Sequence, residues 1–235
     1  MAGKEDLKLL GSSVSLFEIR VRMALIVKGA SYEYIEQDLF NRSELLRRSN
    51  LVHRKVPVLI HNGRPICESL IIVQYIDQAL GRSTAQPAIL PAVPYDRAIA
   101  IFWADYIDHK MLPDWLGIMR AKTSEGRLLK AKQSSAKMKL LQEEAFTKCS
   151  NGKAFFGGDS IGYLDLALGS YLVWFKTLRK FFGVEIIDAG NTPLLAAWAA
   201  RFMETAVAKE VTPEEDRMVA HVKKVYVMAA TSARL

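Results

Sequence analysis

VPVLIHNGRPICES, residues Val56 to Ser69, holds two short apolar runs joined by Asn62-Gly63. An Asn-Gly pair between β-prone runs is the strongest short-range hairpin signal, because the two-residue turn that matches strand twist needs positive φ at both central positions. The stretch therefore predicts two antiparallel strands. Glu68 and Ser69 then end the hairpin and open SLIIVQYIDQAL, whose apolar residues recur with helical spacing as far as Gly81.

Toward the N-terminus, LKLLGS (Leu7 to Ser12) reads as a buried strand and Leu16 to Lys28 as a helix stopped by Gly29. SYEYIEQDL alternates with period two, and SELLRRSN has helical spacing. The resulting order, β-α-β-α-β-β-α, is the thioredoxin arrangement. Residues 82–94, RSTAQPAILPAVP, carry three prolines and no periodic pattern, as a linker would. From Tyr95 onward no strand pattern of comparable quality occurs. DRAIAIFWADYIDHKML, GRLLKAKQSSAKMKLLQEEAF, GYLDLALGSYLVWFKTLRKFF, PLLAAWAARFMETAVAKE and PEEDRMVAHVKKVYVMAA all have helical spacing. The expected fold class is α/β plus all-α: an N-terminal thioredoxin-like domain over residues 1–81, a linker over 82–94 and an all-helical C-terminal domain over 95–235.

With 235 residues, 50% of them hydrophobic and 24% charged, the chain is long enough to bury substantial cores. Much of the formal net charge of +7 comes from Lys110 to Lys153, where ten Lys or Arg face only Asp114, Glu125, Glu143 and Glu144. Aromatic residues are not interleaved with these charges as a nucleic-acid groove requires, so the segment reads as a solvated helical face. Cys67 and Cys149 lie far apart, and neither they nor the four histidines show metal-ligand spacing, which argues against a disulfide framework and a metal site. MAGKEDLKLL has charges where a signal peptide needs an apolar run, and no run of about 20 apolar residues is present. The expectation is a soluble, cytoplasmic protein without nucleic-acid or membrane partners.

Three loops of the first domain should converge. The strand ending near Ser12 delivers Ser13 or Ser15 to the positive end of the following helix, where a hydroxyl can cap the helix or donate to an anion. A serine in such a place is more often a cap than a chemical donor. In this arrangement the proline before the third strand is usually cis, so Val56-Pro57 is the expected cis bond, with the Val56 backbone turned toward the same spot. Glu68 and Ser69 supply an acid and a hydroxyl at the head of another helix, whose free N–H groups favour a carboxylate. With Arg42 and Lys55 nearby, the set suits a small peptide carrying both charges.

NRSELLRRSNLVHRKVPVLIHNGRPICESLIIVQYID, with FWADYID and FFGGDSIGYLDLAL, resembles the tau class of plant cytosolic glutathione transferases. The similarity covers nearly the whole chain. It implies a homodimeric enzyme that conjugates glutathione, its co-substrate, to hydrophobic electrophiles in detoxification or stress response, with glutathione peroxidase side activity and no permanently bound cofactor. It further implies that Ser15, at the serine of the family's Ser-Pro-Phe motif, donates its hydroxyl to the glutathione sulfur. Val56 would pair its backbone with the cysteinyl unit, Glu68 hold the γ-glutamyl ammonium, Ser69 its carboxylate, and Lys55 with Arg42 the glycyl end. Phe17, Leu112, Leu116 and Trp174 would line the electrophile pocket, although each also suits a core.

Two departures from the family pattern stand beside Ser15. Leu16 replaces the motif's proline and Ser13 replaces a tryptophan, which leaves Ser12 or Ser13 as alternative donors and low-turnover carriage of flavonoid-like or other apolar ligands as the alternative function. GDSIGYLDLAL carries architecture: Asp165, three residues after Gly162, can bond back to the first free N–H groups of its helix, and Ile161 can staple the helix start.

Overall fold

The computed structural model describes residues 6–80 and 87–232. The first five residues, residues 81–86 at the start of the linker and the final three residues lie outside the described residues. β1 (Leu7–Gly11), β2 (Glu33–Glu36), β3 (Val58–His61) and β4 (Arg64–Cys67) form one sheet in the order β2-β1-β3-β4. β1 runs parallel to β2 and antiparallel to β3, and the Asn62-Gly63 turn joins β3 to β4 with Val58 opposite Cys67 and His61 opposite Arg64. Both turn residues have positive φ, 49° and 77°, as that turn requires.

Side-chain alternation divides the buried residues between the two faces of the sheet. Leu9 and Leu59 join Ile19, Met23, Ile72 and Ile76 from α1 (Leu16–Val27) and α3 (Ser69–Leu80). Leu10, Val58 and Ile60 meet Leu46 of α2 (Glu44–Ser49) on the other face. β3 therefore reads as a continuous apolar run because both of its faces are covered.

The larger core continues without interruption into the second domain. That domain consists of α4 (Pro94–Tyr106), α5 (Leu112–Arg120), α6 (Ser124–Leu140), α7 (Thr147–Ser150), α8 (Tyr163–Gly169), α9 (Leu172–Phe182), α10 (Pro193–Glu204), α11 (Ala206–Val211) and α12 (Glu215–Ser232). π-helical turns at Ile107–Met111 and Leu141–Phe146 join α4 to α5 and α6 to α7. Two segments expected as single helices are each broken. Between α8 and α9 the cause is steric: a Cβ on Gly169 would lie 2.4 Å from the Phe202 ring, so a poor helix former is required there, and the Ser170 hydroxyl turns back to Ala167 O at 3.0 Å. At Thr205 the side chain accepts from Ala208 N at 3.2 Å and starts α11 as an N-cap.

Asp165 has the role its spacing indicated. Its Oδ2 accepts from Gly162 N and Gly157 N, both at 2.9 Å, and its Oδ1 from Phe156 N at 3.0 Å and Trp198 Nε1 at 2.7 Å. The reciprocal half of a capping box is absent because Gly162 has no side chain to accept with. Lys28, only 2% exposed, ties the departing chain by donating to Pro87 O at 2.8 Å and pairing with Asp77 at 2.7 Å. Asp77 also accepts from Ile89 N and Leu90 N, both at 2.9 Å.

Candidate active site

Ser15 is the N-cap of α1 through its backbone, since its carbonyl accepts from Glu18 N at 3.0 Å and Ile19 N at 2.9 Å. Its own N–H goes to Ser12 O at 2.7 Å, and its side chain makes no cap bond. The half-buried hydroxyl is thus uncommitted to the helix it starts. The two alternative serines differ: Ser12 Oγ donates to Glu36 at 3.2 Å, and Ser13 Oγ is buried without a hydrogen-bond partner among the described residues.

Val56-Pro57 is cis. Asn50 fixes the loop before it, donating from Nδ2 to Lys55 O and accepting from His53 N at Oδ1, both at 3.0 Å. Glu68 takes a left-handed conformation, φ 69°, uncommon for a residue with a side chain and frequent at binding sites. Ser69, 5% exposed, opens α3. Phe17, Lys55, Val56, Glu68 and Ser69 border one cavity of about 430 Å³, closed from the helical domain by Asp105, Asp108 and His109. Arg42 is exposed just ahead of α2, while Leu112 and Leu116 lie half-buried on α5 against the core. Trp174 is 4% exposed, and none of these four borders the cavity. A larger cavity of about 650 Å³, bordered by Leu90, Tyr95, Trp103 and Cys149, contains none of the residues expected to hold glutathione or the electrophile. The smaller one is the candidate site because two of the three expected pieces, the Val56-Pro57 loop and the Glu68-Ser69 helix start, meet there beside Phe17; Ser15, two residues before Phe17, does not itself border it.

Two residues of α1 escaped the sequence reading. Arg20 is fully buried behind Ser69, with its guanidinium paired to both oxygens of Asp108 at 2.7 and 2.9 Å and Nη1 lying 3.4 Å from Ser69 Oγ. Tyr171 donates to the same carboxylate at 3.0 Å. Arg20 had a signal: it falls on the apolar stripe of Leu16, Ile19 and Met23, where a charge demands a partner.

Glu18 has the Ser-x-x-Glu spacing of a capping box with Ser15, yet its carboxyl turns the other way, packing its Cγ 2.4 Å from where a Gly11 Cβ would be. Fully buried, with neither oxygen hydrogen-bonded among the described residues, it has Arg22 Nε at 3.6 Å. Burial pushes its pKa up to about 8, with Arg22 opposing. The folded chain therefore holds a proton that the unfolded chain releases near pH 4.5, so stability falls as pH rises from there to about 8 and is level above. One proton's worth of this slope is a loss of about 2.5 kcal/mol between pH 6 and 8. Urea unfolding of Glu18→Gln should lack that part of the pH dependence. A slope equal to the native one would show that Glu18 does not titrate in this window.

The model of the glutathione S-transferase N-terminal domain family matches residues 9–84. A probable glutathione S-transferase from rice (Oryza sativa subsp. japonica), GSTU6, is 48% identical, with 92% of each chain covered. The crystal structure of a tau-class glutathione S-transferase from mango (Mangifera indica) superposes with a TM-score of 0.86 at 45% identity, covering 93% of this chain and 97% of the other. The chain belongs to the tau-class glutathione S-transferases. A second structure, rice GST1 in complex with glutathione, matches this tau-class chain with a TM-score of 0.80 at 35% identity over 99% and 98% of the two chains. The class and the two-part fold read from the sequence of this transferase are thereby borne out.

Proposed function

We propose that the 430 Å³ cavity binds glutathione and that Ser15 holds its sulfur as a thiolate for transfer to a hydrophobic electrophile. The observation that carries this reading is the meeting of the Val56-Pro57 loop and the Glu68-Ser69 helix start in one cavity beside Phe17, two residues past an uncommitted Ser15 hydroxyl. In this reading the Val56 backbone pairs with the cysteinyl unit, Glu68 takes the γ-glutamyl ammonium, Ser69 and the α3 terminus its carboxylate, and Lys55 with Arg42 the glycyl end. Phe17, Leu112, Leu116 and Trp174 form the electrophile side. The thiol proton leaves to solvent, the Ser15 O–H donates to the sulfur, and the thiolate forms the new carbon–sulfur bond as the electrophilic carbon either releases its leaving group with the bonding pair or, in a conjugate addition, passes its π pair to the acceptor atom, which takes a proton from solvent.

An ordinary thiol has a pKa near 8.5, and lowering it by about two units takes about 2.7 kcal/mol, within reach of one hydroxyl donor and a helix N-terminus together. Thiolate absorbance of bound glutathione against pH tests this: a midpoint at about pH 6 to 7 is expected, and tight binding with a midpoint at about 8.5 would sink the reading. Carriage of apolar ligands without turnover is not favoured, since the curated relatives are named as transferases.

The same reading includes a homodimer and the cytoplasm. Apolar Ile71 on α3 and Tyr95 and Phe102 on α4 are 56%, 72% and 58% exposed, apolar surface that a second copy would cover. Sedimentation should find two chains per particle, and a monomer at micromolar concentration would refute the pairing. Among the described residues no helix is long and apolar enough to cross a membrane, and both cysteines are free, as in a glutathione-reduced compartment.

A further inference from the structure

Trp174 lies in α9 of the helical domain, yet its indole bonds to the other domain: Nε1 donates to the carbonyl oxygen of Val14 at 3.0 Å. Val14 directly precedes Ser15. The Val14 carbonyl and the Ser15 N–H belong to one planar peptide unit, and that N–H goes to Ser12 O at 2.7 Å. The two bonds pin the plane from opposite edges. Held at both its oxygen and its N–H, the unit resists displacement, and with it the Ser15 Cα from which the hydroxyl projects. The indole is held in turn, edge-on to Trp115 of α5 with centroids 5.1 Å apart and edge-on to His221 of α12 at 5.8 Å.

The loop has need of such a fixed point. Ser15 makes no side-chain cap bond, Ser13 Oγ has no partner among the described residues, and Leu16 leaves φ at the first helical position without a proline's restraint. A buried indole N–H needs an acceptor, but nothing in simple core packing requires that acceptor to be the peptide presenting the reactive hydroxyl.

We propose that Trp174 is a positioning residue for thiol activation, its N–H anchoring from the helical domain the peptide that carries Ser15 and so the place of its hydroxyl. The proposal rests on the reading of Ser15 given above. It makes the domain that receives the electrophile a determinant of how acidic the glutathione thiol is.

Trp174→Phe keeps an aromatic ring and removes the donor. The midpoint of bound-glutathione thiolate absorbance should rise by about 0.5 to 1 unit, a three- to tenfold loss of thiolate below the midpoint, while glutathione affinity changes less than about twofold. Amide exchange at Leu16 and Phe17 should quicken in the unliganded chain. Combined with Ser15→Ala, the substitution should add no further shift, because both act through one hydroxyl. If the phenyl ring prevents folding, 3-benzothienylalanine at position 174 preserves the bicyclic shape and deletes only the N–H. A normal Ser15→Ala shift beside an unmoved thiol and unchanged exchange in the Trp174 variant overturns this proposal alone, even if the electrophile KM changes. A Ser15→Ala chain whose thiol titrates like the native one overturns the reading of Ser15 and this proposal with it.

Discussion

Asp165→Ala should lower stability by about 5 kcal/mol, enough to remove much of the margin of an ordinary domain. The carboxylate takes four donors at once: the N–H groups of Phe156, Gly157 and Gly162 and the indole of Trp198. Asp165 is 0% exposed, so water cannot replace it, and each orphaned donor costs about 1–3 kcal/mol. Charge is the lesser part of its contribution. Burial, opposed by the four hydrogen bonds, raises its pKa to about 6, so the folded chain retains a proton that the unfolded chain gives up near pH 3.8. This group's stability term therefore falls between about pH 4 and 6 and is level above. Asp165→Asn keeps one acceptor oxygen but turns an NH2 toward other donors, and should lose about half as much. Urea midpoints with an unchanged m-value measure both variants, and a loss under about 1.5 kcal/mol for the alanine would mean that the loop finds other acceptors.

Ser15→Ala should raise the bound thiol midpoint toward about 8.5, cutting the thiolate at pH 6.5 by up to about fiftyfold if the native midpoint lies there. Turnover should fall less. A more basic thiolate is intrinsically more nucleophilic, by nearly tenfold for two units, so the rate at pH 6.5 should drop about five- to tenfold. The sign of the pH dependence is the decisive feature: the defect shrinks as pH rises, because the variant's thiol ionises unaided near pH 9. Thiolate absorbance and kcat/KM across pH 6 to 9 would show it. A uniform defect at every pH would give Ser15 a role in binding rather than ionisation. Ser12 and Ser13 do not offer an equivalent substitute, one being bonded to Glu36 and the other buried.

Features governed by neighbours in sequence were legible. The Asn62-Gly63 turn, which sets His61 opposite Arg64, and the Asp165 bond to Gly162 N each involve residues three apart. The cis bond at Val56-Pro57 followed from the order of elements around it. What stayed hidden was set by distant partners. The α8–α9 break depends on a Phe202 ring 33 residues beyond Gly169, and Arg20 finds Asp108 88 residues away. Neither separation leaves a periodic trace. Glu18 shows local pattern misleading: the capping spacing is present, but Gly11 opens room beneath α1 and the carboxyl goes there instead. In the site, the loop residues Lys55, Val56, Glu68 and Ser69 border the cavity, whereas Leu112, Leu116 and Trp174 do not, since helix rotation and the bond to Val14 O cannot be read from i, i+4 spacing.

The Arg20–Asp108 pair also limits how such proteins can be recombined. Each charge sits in a different domain, and breaking a buried pair by removing one partner costs about 3–5 kcal/mol. A chimera that kept this thioredoxin-like half but took its helices from a parent without an acid at position 108 would enclose a guanidinium without its carboxylate behind Ser69, next to the proposed glutathione cavity. Domain shuffling, in the laboratory or over evolutionary time, can mix electrophile pockets freely only among parents that share both halves of this ionic lock.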